Sequence, residues 1–152
     1  MRFAKIIGMA ALAAGLVFSG TAVANAAEQG DGVVALAQPP AGMKRAVPVA
    51  PGEVRPFAGS FTWTADWSVR LTSRTWYQNS GNTTIYSYMN CSGDPYISGY
   101  VIKLSGRESV WYGCNGTYYY TWGGVSSGNK NFVLTKSNDG RYIQGNGTTY
   151  YP

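Results

Sequence analysis

Few side chains in this sequence could perform catalysis. The chain contains no histidine, which excludes a Ser-His-Asp triad, a Cys-His pair and His-ligated zinc or copper. Its two cysteines, Cys91 and Cys114, form an even pair, and in a small domain in an oxidising compartment such a pair closes a disulfide. A closed pair leaves no thiolate nucleophile and, without histidine, no metal site. We therefore expect no cofactor, no bound metal and no catalytic residue.

Carboxylates are the remaining catalytic candidates, because a glycosidase needs two acids on opposite sides of the scissile bond. Beyond residue 59 the chain offers four of them: Asp66, Asp94, Glu108 and Asp139. Asp94 lies in "GDP" and Asp139 in "NDG", where an aspartate side chain caps a turn, and Glu108 closes a predicted hairpin loop. This turn chemistry favours structural roles, and the chain is predicted not to be an enzyme.

Residues that could recognise a partner lie on both sides of a change in composition near Gly59. Residues 27–59 contain five prolines and a single aromatic residue, Phe57, whereas residues 60–152 hold all five tryptophans and all twelve tyrosines. Proline fixes φ and biases the preceding residue away from helix, so residues 27–59 are predicted to form an extended arm. Residues 60–152 are predicted to form one small domain.

The first 26 residues read as a secretory signal peptide. Arg2 and Lys5 precede an apolar run over residues 6–18, and small residues at 22–26 offer a cleavage site. We expect a secreted, extracellular protein with no membrane segment after cleavage. Without Arg2 and Lys5 the formal charge falls from +5 to +3, which is too small and too dispersed to predict nucleic-acid binding. A weak attraction to anionic cell-wall polymer remains open.

The domain has the period-two pattern of β-strands. Trp67, Val69 and Leu71 alternate with polar residues, and "SGRE" at residues 105–108 and Asn115-Gly116 each predict a hairpin. About eight short strands with frequent turns predict an all-β, antiparallel sandwich, favoured over a small barrel because one disulfide suits an inter-sheet or hairpin staple. The predicted strands cover residues 67–77, 83–91, 99–104, 109–114, 117–122, 131–136, 141–144 and 148–151.

Aromatic side chains are one set of candidate binding residues. The runs around residues 111–112 and 118–122 place rings on both faces of neighbouring strands, so one set should face outward. We take Trp111, Tyr118, Tyr120 and Trp122 as the exposed rings, which would stack on sugars or anchor a protein contact. The alternative is that these residues are simply good strand formers whose polar tips reach solvent.

The arm supplies the second set. An extended segment can lie along a sheet edge or in a partner's cleft, and the basic pair Lys44-Arg45 would suit a trypsin-like cleft, either as a ligand or as a cleavage site. The alternative is a solvated spacer or a pro-segment. The candidate contact residues are Met43, Lys44, Arg45, Ala46, Val47, Val49, Val54, Arg55 and Phe57.

Residues 60–152 resemble small secreted β-proteins of actinomycetes. The resemblance is carried by "WSVRLTSRTWY", "TTIYSYMNC", "VIKL", "YGC", "YYTWGG" and "NFVLTKSNDG". Within that group the chain looks like the adaptor subunit of the umbrella toxin particles, which are secreted antibacterial assemblies. In that family a small sandwich joins a lectin-bearing subunit of trypsin-like fold to the toxin subunit, and its N-terminal segment inserts into the cleft of the trypsin-like subunit.

Three functions are therefore open. The resemblance implies a non-enzymatic adaptor in interbacterial antagonism, whose partners are other secreted subunits, one of them of trypsin-like fold, and whose arm would be residues 38–57. The aromatic surplus favours a carbohydrate- or cell-wall-binding module. The basic pair Lys44-Arg45 would serve an inhibitor of a trypsin-like protease.

Overall fold

The computed structural model describes residues 38–50 and 58–152, all within one compact unit. The signal-peptide prediction therefore lies outside the described residues. All regular secondary structure in the described residues is β-strand, which confirms the all-β prediction. The strands are β1 (Lys44–Arg45), β2 (Val47–Pro48), β3 (Gly59–Trp67), β4 (Arg70–Thr72), β5 (Trp76–Gln78), β6 (Gly81–Asn90), β7 (Gly99–Leu104), β8 (Ser109–Gly113), β9 (Thr117–Val125), β10 (Gly128–Lys130), β11 (Phe132–Thr135) and β12 (Ile143–Tyr151).

Two five-stranded sheets form the predicted sandwich. Sheet A has the order β1-β8-β7-β11-β4, and sheet B has the order β2-β9-β6-β12-β3. Strands β5 and β10 form a separate antiparallel pair. The pairing of β1 with β8 is parallel, and the other pairings in the two large sheets are antiparallel. The arm therefore supplies one edge strand to each sheet.

Two buried tyrosines of β7 and β8 join the sheets through the core. The Tyr100 hydroxyl donates to Ser87 Oγ at 2.7 Å, and the Tyr112 hydroxyl donates to the Ile85 carbonyl at 3.0 Å. Burial raises the pKa of both phenols above the usual value, so both stay neutral donors. These bonds satisfy the polar tips of rings whose bodies fill the core.

The disulfide confirms the predicted Cys91–Cys114 pairing and connects the two layers. Cys91 follows β6 of sheet B, and Cys114 follows β8 of sheet A, so the bond is an inter-sheet staple. It closes a loop with a sequence separation of 23 residues. A loop of this size stabilises the fold by about 3 kcal/mol through lost unfolded-state entropy.

Consecutive strands mostly change sheet, which corrects two sequence predictions. The hairpin predicted at residues 105–108 is confirmed, since β7 and β8 pair across it. The predicted strand beginning at Trp67 is wrong, because β3 ends at Trp67 and β4 begins at Arg70 in the opposite sheet. Both parts have apolar inward residues, so an unbroken alternation in sequence conceals the break between layers.

The hairpin predicted at Asn115-Gly116 is also wrong, because β8 belongs to sheet A and β9 to sheet B. Asn115 does adopt the left-handed conformation, with φ of 57°. Its amide donates to the Met89 carbonyl at 2.8 Å, and its Oδ1 accepts from the Cys91 amide at 3.0 Å. The tight turn therefore fastens the sheet crossing to the end of β6 beside the disulfide.

The predicted strands at residues 141–144 and 148–151 are in fact one strand, β12, and residues 145–147, where a turn was expected between them, lie in its middle. Gly145 and Gly147 lie on the inner face, opposite Ala65 and Trp63 of β3. A Cβ on Gly147 would lie 2.2 Å from Trp63 Cζ2, and one on Gly145 would lie 2.0 Å from the Tyr88 carbonyl oxygen. Close packing requires glycine at both positions. The resulting Gly-Asn-Gly sequence looks like a turn when the tertiary contacts are not known.

Candidate functional site

Within the predicted arm, residues 44–48 do not project freely but pair with the sandwich. Residues 43–49, hereafter the edge segment, cross from the lateral edge of sheet A to that of sheet B, where they form the outermost strands β1 and β2. Lys44 and Arg45 are in register with Val110 and Trp111 of β8, and Val47 and Pro48 are in register with Tyr119 and Tyr118 of β9. The sequence predicted an extended arm but not that it pairs with its own domain.

Ala46 is the inward residue of the edge segment. Its amide donates to the Trp111 carbonyl at 2.8 Å, and its side chain is buried in the hydrophobic core. The Val49 amide donates to the Thr117 carbonyl at 2.9 Å. Hydrogen bonds to both sheets therefore flank a methyl group that fills the gap between them.

Lys44 forms an ion pair with Glu108 in the loop between β7 and β8. Its Nζ lies 2.8 Å from Glu108 Oε1, and this contact lowers the pKa of Glu108 and raises that of Lys44. The Tyr120 hydroxyl is 3.4 Å from the same carboxylate oxygen, and Trp122 Nε1 donates to the Glu108 carbonyl at 3.1 Å. Lys44 of the predicted arm site therefore lies close to two residues of the predicted aromatic site, Tyr120 and Trp122. All three contact Glu108, which the sequence predicts to close a hairpin loop.

The outward side of the edge segment is exposed to solvent. Arg45 and Pro48 are exposed, and Val47 is 50% exposed. Met43 and Val49 are half-buried at its two ends. The candidates Val54, Arg55 and Phe57 lie outside the described residues.

Of the four rings predicted to be exposed, three pack against the core instead. Trp122 is fully buried, and Tyr118 and Tyr120 pack partly buried against the core. Trp111 is half-buried, with its indole lying over Gly99. Tyr120 and Trp122 face inward because β9 is in register with Ile85 and Thr83 of β6, both of which are buried.

The rings that point outward from sheet B lie one residue away in the alternation. Tyr119 stacks on Tyr86 with ring centroids 5.2 Å apart, and Tyr86 meets Tyr150 edge-to-face at 5.5 Å. The most exposed tyrosines of the described chain are Tyr77, Tyr96 and Tyr142. The sequence could not select between the two alternating sets on β9, since both contain aromatic residues.

At the lateral edge of the sandwich opposite the edge segment, no described strand pairs with the outer sides of β3 and β4. A groove of about 240 Å³ lies between β3 and β4, the edge strands of sheets B and A. Its walls include Phe61, Trp63, Leu71 and Phe132, and the Arg74 guanidinium lies 4.1 Å from the centroid of the Phe61 ring. The groove could not be predicted from the sequence, because its walls come from separate stretches of the chain.

Asp94 and Asp139 have the structural roles that their turn sequences predict. Asp94 Oδ1 accepts from the Tyr96 amide at 3.2 Å, and Asp139 Oδ1 accepts from the Arg141 amide at 3.0 Å. Both carboxylates also contact Lys136, whose side chain is completely buried, with Nζ 2.9 Å from Asp94 Oδ2. Partial burial opposes ionisation of Asp139, but hydrogen bonds from Lys136 Nζ and the Arg141 amide bring its pKa well below the usual value.

Within residues 38–50 and 58–152, no cluster of three or more His, Cys, Asp or Glu side chains could hold a metal ion. The same residues contain no helix long and apolar enough to cross a membrane. No protein-family profile matches the chain, and no curated protein matches it in sequence.

Proposed function

We propose that this protein is a secreted, non-enzymatic protein–protein interaction module, and that a partner binds the outward side of its edge segment. The observation that carries the proposal is the seating of residues 43–49 across both sheets. One face of the segment is fixed by hydrogen bonds and by buried Ala46, while Arg45, Val47 and Pro48 remain exposed. An extended strand whose outer edge faces no other strand of the described chain is suited to strand addition or to insertion into a cleft.

An adaptor role in an extracellular antibacterial toxin complex is the specific form of this proposal. It is supported by the resemblance of residues 60–152 to the umbrella-particle adaptor and by the signal-like N-terminus. The disulfide agrees with an extracellular location. A subunit of trypsin-like fold would receive the projecting edge, with Arg45 as its basic side chain. Since residues 43–49 already pair with this chain's own sheets, the partner would contact their outer side.

The two alternatives have less support from the geometry. A trypsin inhibitor would have to present the bond after Lys44 or after Arg45, yet the Lys44 side chain is paired with Glu108, and Ala46, which follows Arg45, is buried. A carbohydrate-binding module would have to use rings other than the four proposed for it, since Trp122 is buried and the other three are partly buried.

Recovery of partners from culture supernatant tests the proposal. The mature chain with a C-terminal tag should retain secreted partner proteins, and the double variant Arg45→Ser, Val47→Ser should lose them while keeping the wild-type unfolding temperature. Tyr77→Ser is the matched control, because this side chain is 64% exposed and lies on β5, away from the edge segment. Equal recovery by the wild type and the double variant would refute the proposal.

A further inference from the structure

The two ends of the sandwich are closed differently. At one end the edge segment pairs with β8 and β9 and inserts the Ala46 methyl group between the sheets. At the other end β3 pairs only with β12, and β4 only with β11, among the described strands. The groove between β3 and β4 is therefore bordered by two strand edges whose outer hydrogen-bonding groups face no neighbouring strand of the described chain.

The groove has partly aromatic walls. Its volume of about 240 Å³ is lined by the Phe61, Trp63 and Phe132 rings, with Leu71 on the side of β4. Trp63 is only half-buried and is already oriented by a 3.2 Å hydrogen bond from Nε1 to Thr149 Oγ1. This volume is below the roughly 300–1,000 Å³ of sites for drug-sized ligands, so it suits one or two side chains of a docked segment.

One basic side chain, Arg74, lines this groove among the described residues. The Arg74 guanidinium lies over the Phe61 ring, and within the described residues no carboxylate forms an ion pair with it. Arginine presents a planar set of donors that matches a carboxylate. The charge at the groove therefore complements an acidic side chain.

We propose that this groove binds an extended peptide segment of a partner protein, which carries a large apolar side chain next to an acidic one. The apolar side chain enters between the Phe61 and Phe132 rings, and the acidic side chain meets Arg74. The backbone of the peptide pairs with β3 or β4, as the edge segment pairs with β8 and β9 at the other end. The sandwich then has a partner site at each end, which is what an adaptor that joins two subunits needs.

This inference extends the proposed function to a second partner, but it depends on different residues. The test uses fluorescein-labelled hexapeptides with β-branched flanks and a central Phe-Glu, Phe-Lys or Ala-Glu pair, titrated against the full mature chain by fluorescence anisotropy. We expect the Phe-Glu peptides to bind at least ten-fold more tightly than the other two. The variant Arg74→Glu should reverse the preference, so that Phe-Lys binds more tightly than Phe-Glu. Arg70→Glu, an exposed position of β4 outside the groove, should leave the preference unchanged.

Either of two results would overturn the inference. One is the absence of Phe-Glu binding up to millimolar peptide, and the other is a preference that Arg74→Glu and Arg70→Glu change equally. Loss of partner recovery in the Arg45→Ser, Val47→Ser variant with no peptide bound at the groove would leave the edge-segment proposal intact. Peptide binding at the groove with unchanged partner recovery would reject the edge-segment proposal alone.

Discussion

Ala46 joins the arm to the sandwich, because its methyl group fills the gap between the sheets and its amide bonds to β8. A carboxylate at this position would have to be buried without a partner, so Ala46→Asp should release the edge segment. We expect native wild-type protein to resist trypsin after Arg45 and the variant to be cut there at least ten-fold faster, as followed by mass spectrometry of the Arg45 cleavage product.

Val47→Asp is the matched control for this experiment, since Val47 is adjacent and half-exposed. It should remain as resistant as the wild type. Equally rapid cleavage of the wild type and Ala46→Asp would mean that the edge segment is not held on the domain in solution.

Gly147 shows how the sheets limit side-chain size at a single position. Gly147→Ala would place a Cβ 2.2 Å from Trp63 Cζ2, within a strand paired on both sides. Overpacking of this kind costs roughly 1–3 kcal/mol, and we expect a loss of that size in denaturant unfolding. Gly123→Ala, whose Cβ would have no contact closer than 3.6 Å, should change stability by less than about 0.5 kcal/mol. Equal effects of the two variants would contradict the packing explanation.

At the scale of elements, the strands at residues 99–104 and 109–114 could be predicted with their hairpin, because one loop joins neighbours in the same sheet. The connections at residues 68–69 and 115–116 could not be predicted in the same way. A local turn signal is identical whether the next strand pairs with the last or crosses to the other layer. The choice depends on which inner faces pack together, and that is a property of distant strands.

The residues of the candidate site were also only partly predictable from the local sequence. On β9 both alternating sets contain rings, so choosing the wrong set by one residue exchanged buried Trp122 for outward Tyr119. The edge segment was correctly predicted as extended, because proline restricts φ and ψ locally. Its docking was missed, because only the tertiary fold creates the two edges that it covers.

The loops at residues 92–98 and 136–141 are held together by Lys136 between Asp94 and Asp139. The folded-state pKa of Asp139 is lowered from an unfolded value of about 3.9, so its stabilisation is present above that pH and is lost as pH falls through the folded-state pKa. Asp139→Asn should therefore destabilise the protein most at neutral pH, and the difference from the wild type should shrink in acid. Urea unfolding between pH 7 and pH 2 measures it, and a constant difference would contradict this role.

For the whole molecule, the inter-sheet disulfide supplies a large share of the stability of a small domain. The double variant Cys91→Ser, Cys114→Ser should lose about 3 kcal/mol in urea unfolding, because the unfolded chain regains the entropy of an open loop. The reduced wild type should match the double variant. A loss below about 1 kcal/mol would mean that the two sheets are held together almost entirely by their packing.

We propose above that a partner contacts the edge segment. Photo-crosslinking can detect this contact itself, with benzoylphenylalanine introduced at position 45 in one variant and at exposed position 77 in another. Both purified variants would be irradiated in culture supernatant and their products identified by mass spectrometry. We expect a crosslink from position 45 to a specific secreted protein and none from position 77. A crosslink from position 77 alone, or the absence of any from position 45, would contradict it.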